Sequence, residues 1–273
     1  MRKFQTIGSS DLKFKRFFCP SEMTKDEIKI REVLSVEELG ECVGLQREVF
    51  ALPDLEISPV RHLIVTKSAG GFTLGAFFKN RLVGFVLTVP AFGSGAERIF
   101  YSHMTAVKPD FQNLHIGARL KWAQRERALK ENVRFIKWTF QPVQARNAFF
   151  NLERLGVEIK SYVANFYGTD YSTVGTKNKE LGIDSDRLFA EWNLTGEKVA
   201  ALSSGENFIE KDDVIKTIEI PNDWNALVEK NPQKAVLEQT KIKEAFQDAF
   251  AQNLICRRFE RSENNPKYLL YEI

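Results

Sequence analysis

The spacing of hydrophobic residues changes period along the chain, and these changes predict an alternation of strands and helices. Ile28–Val33 ("IKIREV") alternates apolar and polar residues as a half-buried strand does, and Ser35 with Glu38 forms a capping box at the start of a helix. Two apolar runs, "FTLGAFF" and "RLVGFVLTV", flank Lys79–Asn80 and predict a β-hairpin. The first third of the chain therefore predicts a strand, a helical stretch and a hairpin.

The middle of the chain continues with a third long strand, "RIFYSHMTAV", followed by a helix from about Ile116 to Lys130. The segment "RFIKWTF" predicts another strand. The helix in "QARNAFFNLERLG" ends at Gly156, because glycine commonly closes a helix in the left-handed conformation. With a second short helix opened by Ser58-Pro59, this order predicts an α/β fold with a mixed sheet and helices on both faces.

Shifts in composition divide the chain into four predicted segments. Residues 1–27 form an N-terminal extension, residues 28–168 form the main domain, and the polar, glycine-containing residues 169–186 form a linker. Residues 187–273 have their own strands and a helix that begins at Pro232. We expect these last residues to form a smaller C-terminal α/β unit, with an extension of the first sheet as the alternative.

Composition and charge exclude several classes of partner. Hydrophobic residues make up 43% and charged residues 27% of the chain, as in ordinary globular proteins. A net charge of +3 is too small to indicate nucleic acid or a membrane surface as the partner. No apolar run is long enough to span a bilayer, and the basic N-terminus lacks the apolar core of a signal peptide, so we expect a cytoplasmic protein.

Cysteine and histidine are few and widely spaced. Neither the three cysteines nor the three histidines have the spacing of a metal site, and the cysteines do not suggest a disulfide framework. We therefore predict no metal and a reducing compartment. These residues are Cys19, Cys42, Cys256, His62, His103 and His115.

The segment Val107–Leu120 ("VKPDFQNLHIGARL") places permissive residues where a strand passes into a helix. The first amides of a helix have no partner within the helix, and the helix dipole adds partial positive charge there. Gly117 and Ala118 would allow a ligand to approach that backbone closely. The combination suits a phosphate group, although an ordinary strand–helix turn explains the same residues.

The same segment resembles the signature of the GNAT superfamily of acyl-CoA-dependent N-acyltransferases. His115 stands where that signature has its first glycine. "WTFQPVQARNAFFNLERLG" also resembles a little-characterised branch of these proteins. The superfamily resemblance covers roughly Ile28 to Gly168 and implies a mixed, mostly antiparallel central sheet with helices on both faces. The matching signature residues are Val107, Pro109, Phe111, Gln112, Gly117 and Ala118.

The resemblance implies that residues 28–168 bind acetyl-CoA or another acyl-CoA as the donor substrate. The pyrophosphate would lie on the loop amides, and the pantetheine arm would run along the strand backbone where two central strands splay apart. An amide there would stabilise the oxyanion of the intermediate. Arg119 and Lys121 are candidates for the 3′-phosphate. The expected cofactor-binding residues are Met104, Thr105, Ala106, Val107, Gln112, Asn113, Leu114, His115, Ile116, Gly117, Ala118, Asn147 and Asn151.

Acyl transfer to an amine needs a base, and His103 in mid-strand is the main candidate because its pKa range suits proton transfer. Glu97 is the second candidate, and a core histidine is the alternative explanation of His103. Counting back from "RLGV", the position of the usual acid, a tyrosine, is Leu152 here, so that acid is missing. Tyr162 and Tyr167 are further groups that could reach the site or serve in packing.

Three functions compete. The first is transfer of an acetyl or other short acyl group to a primary amine of a small molecule or amino acid by direct attack on the thioester. Phe50–Ser58, Ala91–Glu97 and the C-terminal unit would border the acceptor pocket, and a homodimer is left open. The second is a non-catalytic module that binds CoA or a partner, which His115 and Leu152 favour. The third, nucleic-acid binding through the basic helix, is opposed by the low net charge.

Overall fold

A computed structural model describes residues 27–50, 52–168 and 183–273. The described residues form a ten-stranded sheet in the order β1-β2-β3-β4-β5-β7-β6-β9-β10-β8. Neighbouring strands are antiparallel except β4 and β5, which are parallel. The predicted mixed, mostly antiparallel sheet is therefore confirmed. The strands are β1 (Ile28–Glu32), β2 (Phe72–Phe78), β3 (Arg81–Phe92), β4 (Arg98–Val107), β5 (Phe135–Phe140), β6 (Glu158–Val163), β7 (Arg187–Asn193), β8 (Lys216–Glu219), β9 (Leu254–Glu260) and β10 (Lys267–Glu272).

Helices cover both faces of this sheet, as the sequence predicts. The first two pack on one face with a small core of their own, and the third, fourth and seventh pack against the larger core on the other face. A π-helix, Phe150–Leu155, continues the fourth helix. The helices are α1 (Val36–Phe50), α2 (Val60–Ser68), α3 (Ile116–Lys130), α4 (Ala145–Phe149), α5 (Glu197–Ser203), α6 (Trp224–Lys230) and α7 (Pro232–Ala251).

Local sequence signals account for the ends of several elements. Lys79 and Asn80 have φ of 47° and 63°, the paired left-handed geometry of a tight hairpin turn between β2 and β3. Ser35 Oγ accepts a hydrogen bond from the Glu38 amide at 3.2 Å and caps α1. Gly156 ends the π-helix with φ of 74°. The predicted hairpin, cap and stop are all present.

The C-terminal residues continue the same sheet. β7, which the sequence analysis assigned to the C-terminal unit, lies between β5 and β6. The fully buried Trp192 of β7 donates a hydrogen bond from Nε1 to the Leu155 carbonyl at 2.7 Å and contacts the rings of Trp122 and Trp138. Because β5 and β6 each bond to β7 along an edge, the described strands of residues 187–273 lie in the same sheet as those of residues 28–163.

Parts of the predicted organisation fall outside the described residues. These parts are residues 1–26 of the N-terminal extension, including Cys19, and residues 169–182 of the linker. Within the described part of the chain, no helix combines the length and apolar character needed to cross a bilayer.

Candidate functional site

The central feature of the candidate site is a fork between β4 and β5. Within the described residues these parallel strands pair only at Phe100 with Ile136 and at Tyr101 with Lys137. Beyond these pairs, β4 continues to Val107 and β5 to Phe140 without bonding to each other. The fork therefore opens toward the carboxyl ends of both strands and leaves residues 102–106 without a strand partner on that side, where a ligand could bond like an added strand.

A β-bulge lies at the base of this fork. Met104 pairs with Leu87 of β3 and Ser102 pairs with Thr88, so His103 is an extra residue on β4. A bulge places consecutive side chains on one side of a strand, and the contacts show this arrangement. His103 faces α2, and Met104 packs against the core beneath α1 and α2, whereas the Ser102 side chain bonds to α3.

This geometry corrects one expectation. Strict alternation predicts that His103 points away from both Ser102 and Met104. The side chain points away from Ser102 as expected, but it shares a side with Met104 because the bulge breaks the alternation.

His103 is exposed to solvent, on the side of β4 that faces α2. Its ring centroid lies 6.4 Å from that of His62, and the two rings meet edge to face. Partial burial lowers the pKa of His103 below its ordinary value, and the neighbouring His62 adds a smaller effect in the same direction. The imidazole is therefore mostly neutral near neutral pH, which is the form that can accept a proton.

The loop between β4 and α3 has the backbone geometry of an anion site. Asn113 and His115 have φ of 64° and 58°, in the left-handed region, and His115 immediately precedes α3. Among the described residues, no acceptor in the chain takes a hydrogen bond from the amides of 113–118. Added at Gly117, a Cβ would meet no heavy atom within 4 Å, so the space beside this amide is open.

His115 stands where the signature has a glycine, and its backbone keeps the left-handed conformation that glycine commonly takes. Glycine enters that region at no steric cost, and histidine is among the residues found there more often than most. The substitution therefore keeps the turn, but it adds an exposed side chain beside the open amides.

Two side chains hold the loop in place. Gln112 donates from Nε2 to the Val107 carbonyl at 3.2 Å, so this carbonyl has a partner within the chain. Arg146, in the first turn of α4, donates from Nη2 to Asn113 Oδ1 at 3.4 Å. The first turn of α4 and the amides before α3 therefore lie side by side at the open end of the fork.

Asn147 and Asn151 do not share a surface. Asn147 is exposed, whereas Asn151 is buried and accepts a hydrogen bond at 3.2 Å from Nε1 of Trp138. In a regular helix of 3.6 residues per turn, two residues four apart would lie on one face. The π-helix that begins at Phe150 changes this spacing and turns Asn151 toward β5.

Two expectations for the basic helix α3 are not realised. Arg119 donates from Nη2 to the Ile28 carbonyl at 2.7 Å, so it bonds to β1. Lys121 is only 4% exposed and bonds to Ser102, so it does not reach a phosphate at the surface. Both side chains point to the sheet because α3 packs this face against β1 to β4.

Neither Glu97, the second candidate base, nor Leu152, at the position of the usual acid, lies at the base of the fork. Glu97 is exposed in the turn between β3 and β4, six residues before His103, which is roughly 20 Å along a strand. Leu152 is fully buried in the larger core. The structure therefore separates Glu97 from His103 and gives Leu152 a packing position.

A tyrosine cluster lies on the same side of β4 as His103; the sequence analysis named its Tyr167 but missed its Tyr101. The Thr139 Oγ1 and Tyr167 hydroxyl oxygens are 3.3 Å apart, and both interact with Tyr101. Burial raises the pKa of Tyr101 to about 12, so its hydroxyl is protonated near neutral pH. The spacing of two residues between Tyr101 and His103 could have indicated from the sequence that both side chains lie on one side of the strand. His62 and Tyr167 each come near β4 only through the tertiary structure.

Tyr162 has a packing role. Its ring contacts Phe246 of α7, and its hydroxyl donates to Asp186 Oδ2 at 2.5 Å. Burial, followed by this contact with a carboxylate, raises its pKa far above the ordinary value. Tyr162 therefore joins β6 to α7 and β7 and does not face the fork.

Comparison with known families identifies the fold of this site. Residues 37–156 match the model of the acetyltransferase (GNAT) family. Residues 37–156 form a GNAT acetyltransferase domain. The matched residues run from α1 to the end of the π-helix and include the fork, the bulge and the loop before α3. No curated protein matches the chain.

Solved structures similar to this chain include three acetyltransferases. The ribosomal-protein-S18-alanine N-acetyltransferase from Escherichia coli is 16% identical, with 62% of this chain and 97% of that chain covered and a TM-score of 0.48. A GNAT family acetyltransferase from Elizabethkingia anophelis with acetyl-CoA bound is 16% identical, with coverage of 62% and 99% and a TM-score of 0.43. An aminoglycoside acetyltransferase from an uncultured soil metagenomic sample, in complex with trehalose, is 17% identical, with coverage of 46% and 85% and a TM-score of 0.42.

Proposed function

We propose that this GNAT protein transfers an acetyl or other short acyl group from acyl-CoA to a primary amine of a small molecule or amino acid. The amine attacks the thioester carbonyl directly, and the CoA thiolate leaves. The products are an amide and free CoA, and the proton released by the amine passes to the base.

One observation carries this proposal: the unpaired strand backbone and the open helix amides lie at the same end of the sheet. β4 and β5 separate toward their carboxyl ends, and α3 begins just beyond the carboxyl end of β4. The first turn of α4 follows β5 and contacts the same loop through Arg146 and Asn113. A pyrophosphate on the amides of 113–118 would leave the pantetheine arm positioned to enter the fork along Met104–Val107.

His103 is the proposed base. It is the bulged residue at the base of the fork, it is accessible from the α2 side, and its lowered pKa favours the neutral form. The bulge also leaves backbone groups beside the thioester carbonyl, where an amide would stabilise the developing oxyanion. Leu152 offers no acid, so the thiolate leaves without help from that position.

The acceptor would approach from the face that carries His62, His103 and Tyr101. The loop between α1 and α2 borders this face and is held by the buried Gln46, whose side chain makes two hydrogen bonds, at 2.9 and 3.1 Å, to the backbone of Ser58. Tyr167, 52% exposed, borders the other side. Aromatic and imidazole groups predominate here, which suits a small amine with an apolar or aromatic portion.

The test is a thiol-release assay of acyl-CoA donors against a panel of amines and amino acids, preceded by calorimetry with acetyl-CoA. Binding together with amine-dependent release of CoA supports the proposal. Acetyl-CoA binding without release for any donor and acceptor would favour the second candidate, a non-catalytic CoA-binding module. The buried Leu152 at the usual acid position and the side chain of His115 beside the amides are the observations that favour this second candidate.

A further inference from the structure

A buried polar network lies beneath the fork and has no part in the chemistry described so far. Lys121 of α3 is 4% exposed, and its Nζ donates to Ser102 Oγ at 2.7 Å and to Gln124 Oε1 at 3.3 Å. Gln124, fully buried, donates from Nε2 to Thr88 Oγ1 at 2.7 Å. The network therefore joins α3 to β3 and to the bulged segment of β4.

The Lys121 amine is costly to bury. Within the described residues, neither its hydrogen-bond partners nor its ring contact is a carboxylate. Burial alone lowers its pKa well below the ordinary value. Apolar side chains of similar volume usually stabilise a core as well as or better than a buried charge does. Stability of the fold is therefore a poor explanation of this lysine.

The Lys121 amine lies at the point where β4 and β5 separate. Ser102 and Trp138 are the first residues beyond the last paired positions of β4 and β5. The Lys121 Nζ bonds to Ser102 and lies 3.6 Å from the centroid of the Trp138 ring, so one group touches both arms of the fork at its base. Trp138 is held in turn by Asn151 of the π-helix at 3.2 Å.

We propose that Lys121 is a positioning residue, which fixes the separation of β4 and β5 and the orientation of the bulge at His103. The inference rests on the proposed function, because the bulge is where the thioester carbonyl would be placed. The amine acts through Ser102, the residue next to the bulge, and through Trp138 on the opposite arm. A polar network whose members are all satisfied rigidifies its surroundings, and here it rigidifies the base of the fork.

If the contacts of Lys121 with Ser102 and Trp138 are lost, we expect the thioester carbonyl to be misplaced while the affinity for acyl-CoA changes little. The loop amides that would hold the pyrophosphate are at the other end of the fork and do not depend on Lys121. A displacement of about 1 Å at the reacting atoms can lower a rate by about a hundredfold. We therefore expect kcat to fall by about 10- to 100-fold while KM for acyl-CoA changes by less than about threefold.

Two variants and a matched control test this. Lys121→Met keeps the length of the side chain and removes its donors, and Ser102→Ala removes the acceptor on β4. Gln239→Met is the control, because it removes a buried side-chain hydrogen bond, 2.7 Å from Nε2 to the Asp184 carbonyl, on α7, which packs chiefly on β6, β8 and β9. We expect the first two variants to lose kcat and the control to keep it, with comparable losses of thermal stability in all three.

A second readout requires no acceptor. The infrared stretch of the thioester carbonyl in bound [1-13C]acetyl-CoA reports how strongly backbone amides polarise it. We expect this stretch to shift in Lys121→Met and Ser102→Ala and to stay at the wild-type frequency in Gln239→Met.

The outcomes separate the two proposals. Acetyl-CoA binding with an unchanged carbonyl stretch and normal kcat in both fork variants would overturn the positioning role and leave the proposed function intact. An equal loss of kcat in the Gln239→Met control would likewise overturn it, since the effect would then follow stability. A wild-type protein that binds no acyl-CoA would overturn the proposed function and this inference together.

Discussion

At the scale of single residues, His103 combines a position and a protonation state that suit a base. It is the extra residue of the bulge on β4, and its pKa is lowered first by burial and then by His62. A neutral imidazole that is exposed to solvent can take the proton of an attacking amine. A histidine that served only in packing would not need this exposure.

His103→Asn removes the titration and keeps a polar side chain. If His103 is the base, the rate should fall by about a hundredfold or more, which is typical of general-base loss. The acidic limb of the pH–rate profile should change with it. A normal rate with the same acidic limb would return His103 to a structural role, and the measurement is kcat against pH for wild type and variant.

His62→Asn tests the second cause of the lowered pKa. A neutral residue at this position removes the like charge, so the pKa of His103 should rise toward its ordinary value. Because the neutral form is active, the acidic limb should move to higher pH, with little change in the maximum rate. An acidic limb that stays in place would show that His62 does not influence the base.

At the scale of elements, the amino-terminal turn of α3 has the backbone geometry that would suit an anion. His115 and Asn113 take left-handed backbones, and the amides of 113–118 have no acceptor among the described residues. Fifteen residues of helix align their dipoles behind this turn. The same backbone groups would therefore serve any cofactor with a pyrophosphate, and we expect the fork to favour a ligand with a long, narrow arm.

Gly117→Glu places a carboxylate in the open space beside these amides. A negative charge near a helix amino terminus does not destabilise the helix, so the variant should melt close to wild type. Repulsion of the phosphates should weaken CoA binding by about tenfold or more, about 1.4 kcal/mol. Calorimetric titration with CoA measures this effect.

The matched variant is Gly117→Ala, whose Cβ meets nothing in the chain within 4 Å. It should fold normally and bind CoA more tightly than Gly117→Glu. Unchanged CoA affinity in Gly117→Glu would show that the ligand does not use this loop.

At the scale of the whole molecule, one sheet joins the amino-terminal and carboxyl-terminal parts of the described chain. β7 bonds to β5 on one side and to β6 on the other, and α7 packs on β6, β8 and β9. Trp192 secures this junction with a hydrogen bond to Leu155 and with two indole neighbours. The two parts should therefore unfold together.

Trp192→Phe tests this coupling, because it removes the donor to the Leu155 carbonyl and leaves a small void. We expect a loss of about 1–3 kcal/mol in the free energy of unfolding and a shift of one cooperative transition in urea. The control is Phe92→Leu, at a side chain that is 77% exposed, with a change within about 0.5 kcal/mol. Two separate transitions, of which Trp192→Phe moves only one, would show that the parts are independent domains.

The sequence by itself determined the elements and the loop before α3. Local chemistry sets these features: the left-handed pair Lys79–Asn80 makes the hairpin, Gly156 stops a helix, and the small residues Gly117 and Ala118 follow a strand. Each signal acts within a few residues of chain, and so it can be recognised without knowing what packs nearby.

Only the tertiary structure decided how these elements meet. The bulge at His103 arises from register between β3 and β4, the pair of His62 and His103 joins residues distant in sequence, and β7 enters the sheet between β5 and β6. The burial of Lys121 depends on which face of α3 meets the fork. Register, pairing and burial are set by contacts between segments far apart in the chain, and no local pattern of residues specifies them.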